Sequence, residues 1–322
     1  MRIVVIGLGS MGKRRIRLIR DLYPQYDIVG IDSREDRQAE AEKIYGIHSY
    51  NNISDVSDHV DCAFVCTSPL SHAHIIKECL EKKWNVFTEL NLVDDGYQEN
   101  ISLSKQNGCK LFLSSTFLYR EETKYIRSRI SHDEKWNYVY HVGQYLPDWH
   151  PWENINDFFV GDRRTNGCRE ILAIELPWII QAFGEIDEVE AVADKNSALQ
   201  IDYNDNFMIQ VNHTSGSKGV LIVDVVSPVA VRDFRAYREG KYISWKGTPD
   251  SIQEFNVEEK NLVHVHLMEE SEHIEGYSSF IVENAYKNEI REFFDVVCND
   301  KEPIYGFEQD YETLKVIDLI GA

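Results

Sequence analysis

Over the first 115 residues, short apolar runs alternate with longer stretches of mixed polarity. Ile3–Ile6, Ile28–Ile31, Cys62–Cys66, Asn85–Thr88 and Lys110–Ser115 read as strands buried on both faces, with a shorter strand at 47–50. Met11–Leu22, Arg34–Tyr45, Ser71–Lys82 and Asp94–Asn107 read as the intervening helices, with a weak helix at Ser54–His59. This βαβ alternation ends near Leu118, and a helix follows at Glu121–Ile130. Strand patterns then dominate: Trp136–Tyr145, Glu188–Ala193, Phe207–Thr214, Gly219–Ser227, Ala230–Arg238 and Lys241–Trp245, with turn residues such as Ser215-Gly216-Ser217 and Glu239-Gly240 between them. An apolar helix, Cys168–Phe183, interrupts the strands, and helices at Phe280–Cys298 and Asp310–Ile320 close the chain. The pattern predicts an α/β domain with a parallel sheet over 1–118. An α+β domain with an open, mainly antiparallel sheet is predicted over 119–322, its last helix packing back on the first domain.

The first strand runs directly into Gly7-Leu8-Gly9-Ser10-Met11-Gly12, a G-x-G-x-x-G turn opening a helix. Gly7 permits the tight turn, Gly9 lets backbone approach a pyrophosphate, and Gly12 lets the helix pack on the strand with its N-terminus, Ser10 and Met11, aimed at the phosphates. Asp32 ends the second strand twenty residues beyond Gly12, where a carboxylate accepts hydrogen bonds from an adenosine ribose. A glycine triplet alone also fits an ordinary turn; the strand, helix and acidic residue around it make it a dinucleotide fingerprint of the Rossmann type. Asp32 repels a 2′-phosphate and favours NAD, while Arg34 and Arg37 blunt that preference and leave NADP possible. Thr67-Ser68-Pro69 breaks the strand 62–66 at the edge where such sheets hold ligands, so these residues are placed beside the cofactor, with a polar strand cap as the alternative. His72 is placed near the cofactor or at the surface. Glu89, at the tip of the strand 85–88, is read as holding the nicotinamide ribose or substrate, or as merely solvated.

A chain of 322 residues suits two domains, and 43% apolar with 27% charged residues describes a soluble globular protein. The formal charge of −20 argues against nucleic acid, whose phosphates call for a basic surface. Six cysteines show neither C-x-x-C pairs nor a metal-ligand cluster, so they read as reduced thiols, no metal site is expected, and the cytosol is the expected compartment. No apolar run approaches a membrane span, and a strand starting almost at Met1 leaves no room for a signal peptide.

On "GLGSMGKRR" at Gly7–Arg15, "VCTSPLSHAHIIKECLEKKWNVFTE" at Val65–Glu89 and "AFGEI" at Ala182–Ile186, the chain resembles, over essentially its full length, the glucose-fructose oxidoreductase, inositol dehydrogenase and MocA (Gfo/Idh/MocA) family. The resemblance implies hydride transfer between a nicotinamide cofactor and a sugar, sugar nucleotide or polyol. It also implies a homo-oligomer using the open sheet of the second domain. In that family the second stretch ends in Glu-Lys-Pro, and a later helix carries an aspartate and a histidine facing the substrate. This chain keeps Glu89 but has Leu90 and Asn91 next. Alignment through "FGEI" puts Ile171, Ile174 and Pro177 at the later acid-base positions.

Oxidation of a carbinol requires a base for the hydroxyl proton, which Leu90 cannot supply and Asn91 can only assist by hydrogen bonding to substrate. The replacement candidates fall in two clusters. His150 lies in "LPDWHPWEN" with Trp149, Trp152 and Glu153, a mix of aromatic faces and proton-exchanging groups suited to a sugar, or else a loop pinned by its tryptophans. Arg169, Glu170 and Glu175 lie on the apolar helix and are either substrate ligands and proton carriers or an internal salt bridge. Tyr119 and Arg120 sit where family members place substrate contacts, with a helix cap or packing as the alternative. The leading expectation is an oxidoreductase. A catalytically inactive NAD-binding regulator or sensor, and NAD-dependent glycoside cleavage, stand as rivals.

Overall fold

The computed structural model describes residues 1–149, 151, 154–267 and 280–322. In chain order it contains β1 (Arg2–Ile6), α1 (Ser10–Leu22), β2 (Asp27–Ile31), α2 (Glu35–Tyr45), β3 (His48–Tyr50), β4 (Cys62–Val65), α3 (His72–Glu81), β5 (Asn85–Thr88), α4 (Tyr97–Asn107) and β6 (Leu111–Leu113). There follow α5 (Glu121–Arg129), β7 (Asn137–Gly143), α6 (Gly167–Phe183), β8 (Ile186–Asp194), β9 (Asn206–His213), β10 (Lys218–Asp224), β11 (Val231–Arg238), β12 (Lys241–Trp245), β13 (Gln253–Asn256), β14 (Asn261–His264), α7 (Glu283–Asn299) and α8 (Phe307–Ile320). Two compact units result, Met1–Ser115 with Tyr286–Tyr311, and Thr116–Ala285 with Glu312–Ala322.

In the first unit, six parallel strands are ordered β3-β2-β1-β4-β5-β6. Strand order reverses between β1 and β4, which opens the crevice where doubly wound sheets hold ligands. The apolar runs fill this sheet. Phe64, Phe87 and Phe112 stack across neighbouring strands with centroids 4.7 and 5.3 Å apart, and Phe293 of α7 meets all three edge-on. Each ring is fully buried and contributes roughly 1.5–3 kcal/mol by leaving water. The weak helix expected at Ser54–His59 is instead a single 3₁₀ turn, Ile53–Asp55, because Asn52 and Asp55 bond to each other's backbone and compete with a longer helix.

The second unit holds an eight-stranded sheet ordered β14-β13-β12-β11-β7-β10-β9-β8. β7 runs parallel to β10 and every other pair is antiparallel, so the sheet is mixed and open. One face buries Tyr138, Tyr140, Phe207, Leu221, Phe234 and Trp245, and α6 packs over β9 and β10. The other face leaves apolar side chains in cross-strand register: Val192 opposite Met208, Met208 opposite Ile222, and Val220 opposite Val139. Val192 is 75% and Met208 55% exposed. β13 and β14 escape a periodicity reading because "QEFN" and "NLVH" are short, polar and at the sheet's edge.

Candidate functional site

The glycine turn of the first unit fits a dinucleotide. Gly7 has φ +92°, and a Cβ there would meet the Cys66 carbonyl oxygen at 2.7 Å. A Cβ on Gly12 would overlap the Gly7 carbonyl oxygen, so only glycine lets α1 start this close to β1. Gly9 caps α1, whose first turn carries no acidic residue, and Ser10 at its start is exposed. Met11 follows, partly buried. The helix therefore presents backbone N–H groups with a positive dipole end to an anion.

Asp32 is fixed by the backbone it faces. Oδ2 accepts the Leu8 N–H at 2.8 Å, Oδ1 accepts the Arg34 N–H at 3.0 Å, and the Arg37 guanidinium lies 3.8 Å away. Arg34 is turned aside onto Asp36, with contacts of 3.0 and 2.5 Å. The cation beside the glycine turn is Arg37, whose NH1 would stand 3.5 Å from a Cβ on Gly9.

At the strand tips, Thr67 is partly buried, Ser68 exposed and Pro69 buried. Glu89 is not lone: Arg15 grips both its oxygens, at 2.6 and 2.9 Å. Arg15 is fully buried and also reaches Ser114 at 3.2 Å and Glu289 at 2.8 Å. Burial pushes the Glu289 carboxyl up, and the Arg15 charge pulls it back. Arg15 escaped the sequence reading as a functional group. Its signal was positional, a cation in step with Gly12, Ile16 and Ile19 on the buried face of α1.

Two further candidates at these tips have internal partners. His72 is 2% exposed, and both ring nitrogens are used internally, Nδ1 toward Asn91 Oδ1 at 2.6 Å and Nε2 toward the Thr67 carbonyl at 2.9 Å. Both ring nitrogens therefore face polar atoms of the protein. Asn91, also 2% exposed, directs its Oδ1 to His72.

In the second unit the helix candidates separate. Glu175 is fully buried; Oε2 accepts from Tyr140 and Trp178, both at 2.7 Å, and Oε1 accepts from Arg232 at 2.6 Å. It forms an internal ion pair, one of the two alternatives open from the sequence. Arg169 is likewise engaged internally: its NH1 reaches Asp318 and the Ala322 carbonyl, both at 2.7 Å. Tyr119 is only 5% exposed, and Arg120 bonds to Glu122 and to the carbonyls of Phe280 and Gly247, so both serve packing.

Glu170 differs from these. It occupies the first turn of α6, whose start is capped by Asn166 accepting the Arg169 N–H at 2.8 Å. The residue is partly buried, yet Oε2 is sealed from solvent and has no hydrogen-bond partner among the described residues, and burial pushes the carboxyl up to about 8. Trp149 approaches the same turn: its ring would stand 3.5 Å from a Cβ on Gly167, and its indole N–H is also buried without a partner among the described residues. Gly167 and Glu170 are three residues apart and share a helix face. His150, Trp152 and Glu153 lie outside the described residues. Among the described residues, no group of three His, Cys, Asp or Glu could hold a metal ion, and no helix is long and apolar enough to cross a membrane.

Residues 1–113 match the family model described as an oxidoreductase family with an NAD-binding Rossmann fold. A myo-inositol 2-dehydrogenase of Thermotoga maritima is 34% identical over 106 residues, 29% of this chain and 30% of that protein; the match thus spans under a third of the relative's length. Among solved structures, an aldose-aldose oxidoreductase from Caulobacter crescentus superposes with TM-score 0.79 at 15% identity, covering 100% of this chain and 96% of its own. The WlbA dehydrogenase of Bordetella pertussis, solved with NADH and UDP-GlcNAcA, gives TM-score 0.75 at 13% identity, with coverage of 100% and 95%. At such identities these two likenesses concern the fold. The likeness to the oxidoreductase family is thus carried by the NAD-binding Rossmann domain of residues 1–113, and beyond it the solved structures share the fold.

Proposed function

We propose that the protein is an NAD(P)-dependent oxidoreductase acting on a sugar, sugar nucleotide or polyol, with Glu170 as its proton-exchanging residue and Trp149 as an apolar platform for the substrate. The observation that carries this reading is the pair of buried, unpartnered polar atoms at the first turn of α6, Glu170 Oε2 and the Trp149 indole nitrogen. Buried polar groups are ordinarily satisfied, and unsatisfied ones mark sites awaiting a partner. A hydroxylated ring supplies donors and acceptors at its rim and an apolar face for the indole. Bound nicotinamide supplies the hydride exchange; the chain must supply proton exchange at the carbinol oxygen. With its carboxyl near 8, Glu170 holds a proton at neutral pH and can give it to a developing alkoxide. Above that value it is a carboxylate able to accept one. The carboxylate Glu89 is held by Arg15 and the lysine position is Leu90, which favours Glu170 over the strand tip.

The test is turnover with a panel of sugars and polyols, followed by nicotinamide absorbance. Alcohol oxidation should rise with pH to a plateau above about 8, and Glu170→Gln should lower kcat at least about 100-fold, in line with the usual size of general acid-base catalysis. An unaltered pH profile in Glu170→Gln would remove that residue from the reaction. NAD binding without turnover on any substrate would favour the regulator, and aglycone release without net nicotinamide change would favour glycoside cleavage. We also propose that the exposed apolar rows of the second-unit sheet are covered by another copy of the chain, in a cytoplasmic homo-oligomer.

A further inference from the structure

We propose that Asn91 is a positioning residue that, through His72, holds the Thr67–Pro69 loop against the glycine turn, so that dinucleotide affinity depends on a buried side chain acting through its neighbour. The proposal rests on dinucleotide binding by the first unit and not on the identity of the substrate.

The contacts form a continuous chain along the carboxyl ends of three adjacent strands. The Cys66 carbonyl group, just past β4, occupies the space that a side chain on Gly7, just past β1, would fill, and Thr67 Cγ2 lies 3.0 Å from that position. The Thr67 carbonyl faces His72 Nε2 at 2.9 Å, and His72 Nδ1 faces the Asn91 amide, just past β5, at 2.6 Å. Ser71 braces the same loop by bonding to Thr67 Oγ1 at 2.8 Å and to the Ser68 carbonyl at 2.7 Å. Where the family motif has Lys-Pro after the glutamate, this chain has Leu90-Asn91, and a proline could not supply the side-chain bond to His72.

The imidazole gives the arrangement a testable signature. The Thr67 carbonyl only accepts, so Nε2 carries a hydrogen. In a neutral ring Nδ1 then accepts, and Asn91 presents its amide N–H; in an imidazolium Nδ1 donates to Asn91 Oδ1. An asparagine satisfies either state by turning its amide, whereas an aspartate only accepts and so requires the imidazolium. The other ionisable groups near the ring are Glu89 and His74, and Thr88 Oγ1 lies 3.4 Å from Nδ1.

The experiment is NADH titration by fluorescence at pH 6 and pH 9 with the full-length protein, Asn91→Ala and Asn91→Asp, with folding checked by circular dichroism. Wild type should bind with little pH dependence from this ring. Asn91→Ala should bind about tenfold more weakly at both values. Asn91→Asp should recover to within about threefold of wild type at pH 6 and lose that recovery at pH 9, where the imidazolium deprotonates. Equal affinity in Asn91→Ala and wild type, or an Asn91→Asp affinity independent of pH, overturns the proposal. If Asn91→Ala does not fold, the pH dependence of Asn91→Asp alone decides it. A wild-type protein that binds neither NADH nor NADPH would instead overturn the cofactor reading.

Discussion

Replacing Arg15 with methionine isolates the energetics of the buried charge cluster beneath the cofactor turn. Methionine keeps most of the apolar stem but withdraws the guanidinium from Glu89 and Glu289. Glu89 retains some access to solvent, its side chain being 13% exposed, whereas Glu289 is fully buried. Breaking a buried pair from one side typically costs about 3–5 kcal/mol, because the partner charge is left uncompensated. Glu289 can escape by taking up a proton. Holding a carboxyl neutral costs about 1.4 kcal/mol for each pH unit above its ordinary value near 4.3, hence up to about 3.7 kcal/mol at pH 7 and about 1 kcal/mol at pH 5. Because the carboxyl is raised, the folded state binds a proton that the unfolded state releases, so the contribution of Glu289 to stability is fully present below about pH 4.3 and is lost as pH rises through the folded value. Urea unfolding of the cofactor-free protein at pH 5, 6 and 7 should show the variant's deficit relative to wild type widening with pH. A deficit that is flat over this range, or below about 1 kcal/mol at pH 7, would refute the assignment of Arg15 as the neutralising charge for Glu289.

Other outcomes follow from the cofactor turn and the open sheet. Asp32→Ala should weaken NAD binding more than NADP binding under the proposed role of the carboxylate as ribose acceptor and repellent of a 2′-phosphate; equal losses would contradict that role. Arg37→Ala should act in the opposite sense, weakening NADP by about tenfold and NAD by less, and isothermal titration of both cofactors measures the crossing. Met208→Arg places a charge in the exposed apolar row and should lower the solution mass by light scattering without altering circular dichroism; an unchanged assembly would exclude that row from the interface.

The first unit was legible because each of its signals is local. The runs Ile3–Ile6 and Cys62–Cys66 are apolar throughout, as doubly buried strands must be, and the glycine spacing records backbone contacts within a dozen residues. Candidate chemistry in the second unit was less legible because charge in a sequence does not state its partner. Arg169, Glu170 and Glu175 look alike as polar interruptions of one apolar helix. The structure gives two of them partners, at Asp318 and Arg232, remote in sequence, and leaves the third carboxyl oxygen without one. His72 and Asn91 likewise appeared suited to a ligand because strand tips face the crevice, but their depth depends on how α3 packs. No periodicity reports that depth.

The placement of β7 sets the order in which the second sheet can be built. It is the first strand of that sheet in the chain, yet it lies between β10 and β11, whose residues come some 75 to 100 positions later. At ordinary synthesis rates of about 5–20 residues per second, Tyr138, Tyr140 and Val142 wait roughly 5–20 s for both neighbours to emerge. The β8–β9–β10 meander pairs strands adjacent in sequence and closes its contacts first. The parallel docking of β7 onto β10 is therefore the late, long-range step of folding, and the apolar face of β7 is the surface most exposed to misassociation while the chain is being made.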